Sequence, residues 1–364
     1  MTDRQSKPLY YPDYLRLDSL LACQQMESAR MGSPAHDEML FIVVHQAYEL
    51  WFKQILWELD SVRETLSTPV VEERELGKTL KNLERVVAIQ RVLIQQIDVL
   101  ETMTPLDFLD FRDYLIPASG FQSVQFRMIE NRLGLRPEDR LTFGRAKYSN
   151  RLEESDRALV ESIENEPSIF DLVDNWLSRT PFISFGGFDF WSAYSTAVRS
   201  MLEHDRKAIV ENPTLSADHK QRQVDGLEQT KAQFEAITDA SKYEALRSDG
   251  GFRLGHDSFK AALLISLYRD EPILHIPFRL LSLLIDIDEN FSTWRYRHAL
   301  MVLRMLGSKI GTGGSSGQDY LHEVAHHNKV FKDLNRVSTF LIPRGRLPEL
   351  PEDVVRSMGF RLST

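Results

Sequence analysis

The chain has 364 residues, 42% hydrophobic and 27% charged, with a formal net charge of -9. That composition suffices for one large core or two modest ones, and its acidic balance argues against a surface built to neutralise nucleic-acid phosphates, so no nucleic-acid partner is expected. A single cysteine, Cys23, excludes an internal disulfide framework; an opening without a secretory apolar core, and no uncharged run near the roughly 18 residues of a membrane span, lead to the expectation of no membrane association and a cytoplasmic location.

Taken in chain order, helical periodicity dominates and sustained period-two strands are hard to find, so the expected fold is all-α. Helices are predicted over 36–66, 74–103, 105–134, 151–178, 188–212, 215–248, 256–268, 275–289, 291–308 and 317–334. In the first, Phe41, His45, Tyr48, Phe52, Ile55, Leu59 and Val62 recur in steps of four and three, the mark of one face turned to a core. The stretch 76–100 is apolar on more than one side (Val86, Val87, Ile89, Val92, Leu93, Ile94, Ile97), which predicts a central helix. Residues 204–250 carry frequent charges and few aromatics, and read as a peripheral helical hairpin ending at the turn Ser248-Asp249-Gly250-Gly251. With no convincing linker or repeat, 1–364 reads as one large helical domain carrying that hairpin.

Several features compete for the chemistry. His45 and His298 each lie in an apolar stripe, the second with Trp294, Met301 and Met305. Burying a ring nitrogen unpaired costs on the order of 1–3 kcal/mol, so each needs a hydrogen-bond partner, a metal or a ligand. Spacing alone leaves a core histidine bonded to a carbonyl open beside a prosthetic group held between helices. The run Gly311-Thr312-Gly313-Gly314-Ser315-Ser316-Gly317 is either a flexible connector or a loop that folds over a small anionic or zwitterionic ligand, with Thr312 supplying a hydroxyl. Arg112, flanked by Phe108 and Phe111, is placed either to grip a carboxylate through paired bonds or to make a salt bridge with Asp107, Asp110 or a neighbour. His322-Glu323-Val324-Ala325-His326 fits the two-histidine zinc-hydrolase pattern, but no further ligand follows at a suitable spacing. Cys23 has no nucleophile motif around it.

The segments Tyr11-Pro-Asp-Tyr14-Leu, HDEMLFIVVHQAYELWFKQILWELDSVRE at 36–64, ETMTPLDFLDFRDYLIPASGFQSVQFR at 101–127, WRYRHALMVLRMLGSKIGTGGSSG at 294–317 and STFLIPR at 338–344 resemble the tryptophan 2,3-dioxygenase family, in its order and near its spacing. The resemblance implies an all-α homotetramer binding haem b, with O2 as co-substrate and L-tryptophan converted to N-formylkynurenine. It also implies roles. His298 matches the axial ligand of ferrous haem, and His45 the distal histidine that accepts from the indole N–H. Phe41 and Phe108 match the indole walls, Arg112 the clamp on the substrate carboxylate, and Thr312 the contact to the amino-acid head. Ser119 and Gly120 match the distal wall near the haem, while Tyr11 and Tyr14 match tyrosines that complete a neighbouring subunit's site.

Overall fold

In the computed structural model, residues 8–140, 148–181, 183–185, 187–307, 309 and 328–359 are described. Three short helices, α1 (Tyr11–Leu15), α2 (Leu17–Leu20) and α3 (Glu27–Arg30), lead into two long ones, α4 (Glu38–Leu66) and α5 (Glu73–Leu100). The expected stripe of α4 is turned inward as its period requires: Tyr48, Phe52, Ile55, Leu59 and Val62 are all buried. Helix α5 packs along α4 on one side and along a later long helix on the other. It still leaves Val92 and Val99 exposed, so it is central among the helices without being enclosed.

Where sequence periodicity predicts one helix over 105–134, the chain forms α6 (Pro105–Arg112), two 3-10 turns at Asp113–Leu115 and Gly120–Gln122, and α7 (Val124–Leu133). Pro117 has no N–H to donate and disfavours helical backbone at the residue before it; Ile116 is accordingly extended, at φ -69 and ψ 129. The same physics divides 151–178 into α8 (Glu154–Glu164) and α9 (Ile169–Leu177) around Pro167. Ser168 then opens α9 by accepting from the Asp171 N–H at 3.2 Å, while the Asp171 carboxylate accepts from the Ser168 N–H at 3.0 Å.

A two-residue strand pair, β1 (Ser184–Phe185) and β2 (Phe188–Asp189), precedes α10 (Phe190–Glu211) and has no counterpart in the sequence pattern. The predicted helix over 215–248 is two, α11 (Ala217–Thr238) and α12 (Ala240–Ser248), because Asp239 leaves the helical region and its side chain accepts from the Lys242 N–H at 3.0 Å. Phe234, Ile237 and Tyr243 from this pair join the main core. After α13 (His256–Leu267), the helices predicted at 275–289 and 291–308 are a single α14 (Pro272–Leu306). Asn290, which has the means to cap a helix, instead donates to the Gln90 side chain on α5 at 3.3 Å, and the helix runs on through it. The chain closes with α15 (Lys332–Val337) and α16 (Glu352–Met358), the latter unanticipated and held by buried Val354 and Met358. Most of the helix predicted over 317–334 lies outside the described residues. Among those described, no helix is long and apolar enough to cross a membrane.

One charge cluster ties these elements together. Glu130 on α7 is buried and accepts from Arg127 at 2.8 Å, from Arg295 of α14 at 2.9 Å and from Arg140. Burial pulls its carboxyl upward, but Arg140, Arg127 and Arg295 outweigh this and hold it far below the usual carboxylate range. Gly134 ends α7 at φ +113, where an added Cβ would fall 2.6 Å from Ser168 Oγ; only glycine lets α7 finish against the start of α9.

Replacing Glu130 with Ala leaves three buried or nearly buried guanidinium groups without their anion, and is expected to cost about 3–5 kcal/mol in a denaturant titration. Because the folded carboxyl is depressed, its stabilisation is complete above the unfolded carboxylate pKa of about 4.3 and is lost as pH falls below it. Glu130→Ala should therefore show a shallower loss of stability on acidification than the parent; equal slopes would contradict this assignment.

Candidate active site

Helix α14 presents His298 one turn after Trp294, and the two rings stack with centroids 5.5 Å apart at 14°. Behind Trp294 stand Phe126 of α7 at 5.1 Å and Tyr48 and Phe52 of α4 at 6.0 and 6.4 Å. Tyr48 is itself fixed by donating to the Leu93 carbonyl of α5 at 2.7 Å. Burial pushes its hydroxyl pKa up to about 12. Four helices thus build an aromatic mount for one imidazole. Burial, with the nearby His45 adding to it, pushes the His298 pKa down to about 4, so the ring is neutral at physiological pH. Among the described residues no hydrogen bond reaches its two nitrogens, and the residue is part-buried.

His45 reaches the opposite outcome. Its Nδ1 lies 2.7 Å from the Phe41 carbonyl, one turn earlier on α4. Burial lowers its pKa, with the Phe41 hydrogen bond and Glu49 pulling the other way, so the ring is predominantly neutral. A carbonyl only accepts, which places the single N–H on Nδ1 and leaves Nε2 with a lone pair for an incoming donor. The side chain is solvent-exposed although close surroundings depress its pKa.

Phe41 lies 4.0 Å from the His45 ring and 5.8 Å from Phe108 of α6. Both Phe41 and Phe108 rest on Phe111, fully buried at 5.5 and 5.4 Å from them. Phe111 belongs to a small apolar cluster with Met103 and Met305, separate from the main core. Helix α6 is oriented by a capping box: Thr104 Oγ1 accepts from the Asp107 N–H, and the Asp107 carboxylate accepts from the Thr104 N–H at 2.8 Å. Asp107 is thereby committed to the cap. Arg112, at the end of α6, has a side chain only 15% accessible, and its described ion partner is the exposed Asp113 at a loose 3.8 Å.

Ser119 and Gly120 begin the turn between α6 and α7. Gln122 Oε1 accepts from the Ser119 N–H at 3.0 Å, and an added Cβ at Gly120 would meet nothing within 4 Å, so that side of the turn is open. Two expected residues are not brought to these side chains by their own chain. Tyr11 and Tyr14 lie on α1, 68% and 67% exposed. Thr312, with the rest of the glycine-rich run, and His322, Glu323 and His326 lie outside the described residues. Cys23 is exposed and donates to the Leu20 carbonyl. Among the described residues no group of three side chains is placed to hold a metal ion.

The family model for tryptophan 2,3-dioxygenase matches residues 2–341. The chain is 52% identical over 353 residues to the tryptophan 2,3-dioxygenase of Bdellovibrio bacteriovorus, covering 97% of this chain and 98% of that one. It is 47% identical to those of Alteromonas mediterranea, over 98% of both chains, and Dictyostelium discoideum, over 99% of this chain and 91% of that one. The chain belongs to the tryptophan 2,3-dioxygenase family.

The haem that a tryptophan 2,3-dioxygenase implies is compatible with what His298 presents: a neutral imidazole, without a hydrogen-bond partner among the described residues, and with an aromatic wall behind it. Two neighbours of the expected site residues are given no role by sequence reasoning. Phe111 follows Phe108 at helical spacing, a signal that is present in the chain. Glu49 follows His45 by one turn, but nothing in its spacing shows that its partners are Ser123 and Gln125, a long way off in sequence.

His298→Ala should lose most of the bound haem or its normal axial absorption spectrum, while Trp294 and its aromatic neighbours keep the apoprotein folded. Haem affinity and spectrum matching the parent protein would mean that the iron is held elsewhere.

Proposed function

We propose that this chain catalyses the dioxygenation of L-tryptophan to N-formylkynurenine using haem b, whose ferrous iron His298 would hold. The observation that carries this reading is the pairing of a neutral His298, without a hydrogen-bond partner among the described residues, with a nearby His45 whose one proton is committed to the Phe41 carbonyl. When bound, the haem supplies the O2 activation that no side chain provides; atoms of O2 add across the indole C2–C3 bond, and both are retained in the product.

The protein's own part is binding, orientation and dryness. His45 Nε2 accepts from the indole N–H and sets which edge of the ring faces the oxygen. Phe41 and Phe108 form the slot for the indole, and Phe111 holds both in place. Arg112 binds the substrate carboxylate in a setting of low accessibility, where a guanidinium pair is stronger than at an open surface. Thr312 contacts the amino-acid head, and Ser119 and Gly120 line the distal side. Held this way, the reactants meet without the entropy of a free encounter.

In the same reading the working enzyme is a cytoplasmic homotetramer in which Tyr11 and Tyr14 complete a neighbour's site. Their high exposure in the single chain supports this. The chain acts as one haem-binding unit, with 204–250 a peripheral hairpin on it.

Mass spectrometry of the product from reduced, haem-loaded protein, L-tryptophan and isotopically labelled O2 tests the reaction. N-formylkynurenine carrying both labelled atoms is expected; unchanged tryptophan from protein shown to hold ferrous haem and bind O2 would sink it. Arg112→Ala should lower kcat/KM for tryptophan by about a hundredfold or more, the loss of a buried charged hydrogen-bond partner, with haem content near normal. Unaltered catalytic efficiency would remove Arg112 from the substrate site.

A further inference from the structure

We propose that Glu49 is a positioning residue for this reaction, holding the turn that carries Ser119 and Gly120 at a set distance from the His45 face of α4. The proposal rests on the dioxygenase reading above. Glu49 follows His45 by one helical turn, so the two side chains share a face. Its carboxylate takes a donor on each oxygen: Oε1 accepts from the Ser123 hydroxyl at 2.6 Å, and Oε2 accepts from the Gln125 amide at 2.8 Å. The same Gln125 amide also donates to the Glu49 backbone carbonyl at 2.8 Å, clamping the turn of α4 that follows His45.

Ser123 is the hinge of this arrangement. It caps α7, its Oγ accepting from the Phe126 N–H at 3.3 Å, so its own proton is directed to Glu49. Immediately before it, the Ser119 N–H is closed onto Gln122, three residues on. One carboxylate on α4 therefore fixes the hydroxyl orientation at the start of α7 and, through it, the end of the Ser119–Gln122 turn. Both partners donate, which a carboxylate satisfies and an amide does not: glutamine offers one acceptor oxygen and turns an NH2 group toward the second donor. Glu49 also acts electrostatically on His45, opposing the effect of burial there.

Since Glu49 is placed to touch neither indole nor oxygen, its loss should appear in turnover and in the distal environment more than in substrate affinity. Parent, Glu49→Gln, Glu49→Ala, Ser123→Ala and the double Glu49→Ala/Ser123→Ala proteins are compared by steady-state kinetics, haem content and the C–O stretching band of the reduced protein loaded with carbon monoxide. Glu49→Ala is expected to lower kcat at least about tenfold through misplacement, with KM for tryptophan changed by less than about threefold, haem content kept and the C–O band shifted or broadened. Glu49→Gln should recover part of kcat. Ser123→Ala should lower kcat alone and add little to Glu49→Ala, because the two act as a unit. A parent-like kcat and C–O band in Glu49→Ala would overturn the proposal, as would full additivity with Ser123→Ala, or losses of kcat that merely track losses of haem and folded protein. If the parent binds haem and O2 yet leaves tryptophan unchanged, the dioxygenase reading fails instead, and the C–O band still decides whether Glu49 shapes the distal side.

Discussion

Glu130 is a single buried anion shared by three arginines that come from α7, from the segment after it and from α14. Neither the carboxylate nor the guanidinium groups can be left alone in the interior, so the relation of α7 to α14 is set by charge as well as by shape. Aromatic faces absorb some of the excess positive charge: Arg140 lies 4.1 Å over Tyr148, and Arg295 about equally over Phe126 and Phe291 at 5.9 and 5.8 Å. The consequence reaches the site directly. Arg295 is one turn before His298, and α7 begins where the Ser119–Gln122 turn ends, so His298 and that turn are registered through one cluster. Arg295 also donates to the Asn328 carbonyl at 2.8 Å, bringing the chain back onto α14.

Helix α4 separates adhesion from positioning along its length. Beyond Tyr48 its inward face is mostly apolar, broken by buried Glu58, which accepts from Arg85 of α5 at 2.6 Å, and it anchors the helix among its neighbours. Between Val44 and Glu49 it instead carries a dense set of polar links: the Val44 carbonyl accepts from Gln96 of α5 at 2.9 Å, and Gln46 bonds to Gln24 at 2.6 Å, holding the segment that leads in from α2. Glu38, buried at the start of α4, accepts from the Glu27 and Ser28 amides and seats α3. Such a network is stiff when every member is satisfied and costly when one is not, which suits a stretch that must hold His45 at a fixed place.

Legibility in the sequence followed the range of the forces involved. The stripe from Phe41 to Val62 announced α4 because a helical period is local; Tyr48, Phe52, Ile55, Leu59 and Val62 are buried as the spacing selects, whereas Phe41 is part-buried and His45 exposed. Apolar period continues across Pro117 and Pro167 and hides the breaks there, although the missing N–H is as local a signal as any. The opposite error, splitting α14 near Asn290, has a tertiary cause: the side chain that competes with the helix is occupied by Gln90 of α5. The two histidines show the limit most clearly. Identical in spacing, one is bonded to a carbonyl of its own helix, the ordinary fate of a core histidine, and the other has no hydrogen-bond partner among the described residues.

By itself the sequence determined the helical class, the length of α4, the stripes that bear His45 and His298, and, through long ordered segments such as FIVVHQAYELW and DFLDFRDYLIPASGF, the family. These are encoded in nearest and next-turn neighbours, which the chain order contains. Only the tertiary structure decided that Trp294 would stand between His298 and three aromatic rings, that Phe111 would brace Phe41 and Phe108, that Glu130 would gather three arginines, and that Glu49 would reach Ser123. Each of these partners lies on another element, and a hydrogen bond or a ring contact depends on a few ångströms of approach between helices, a distance that residue order does not contain.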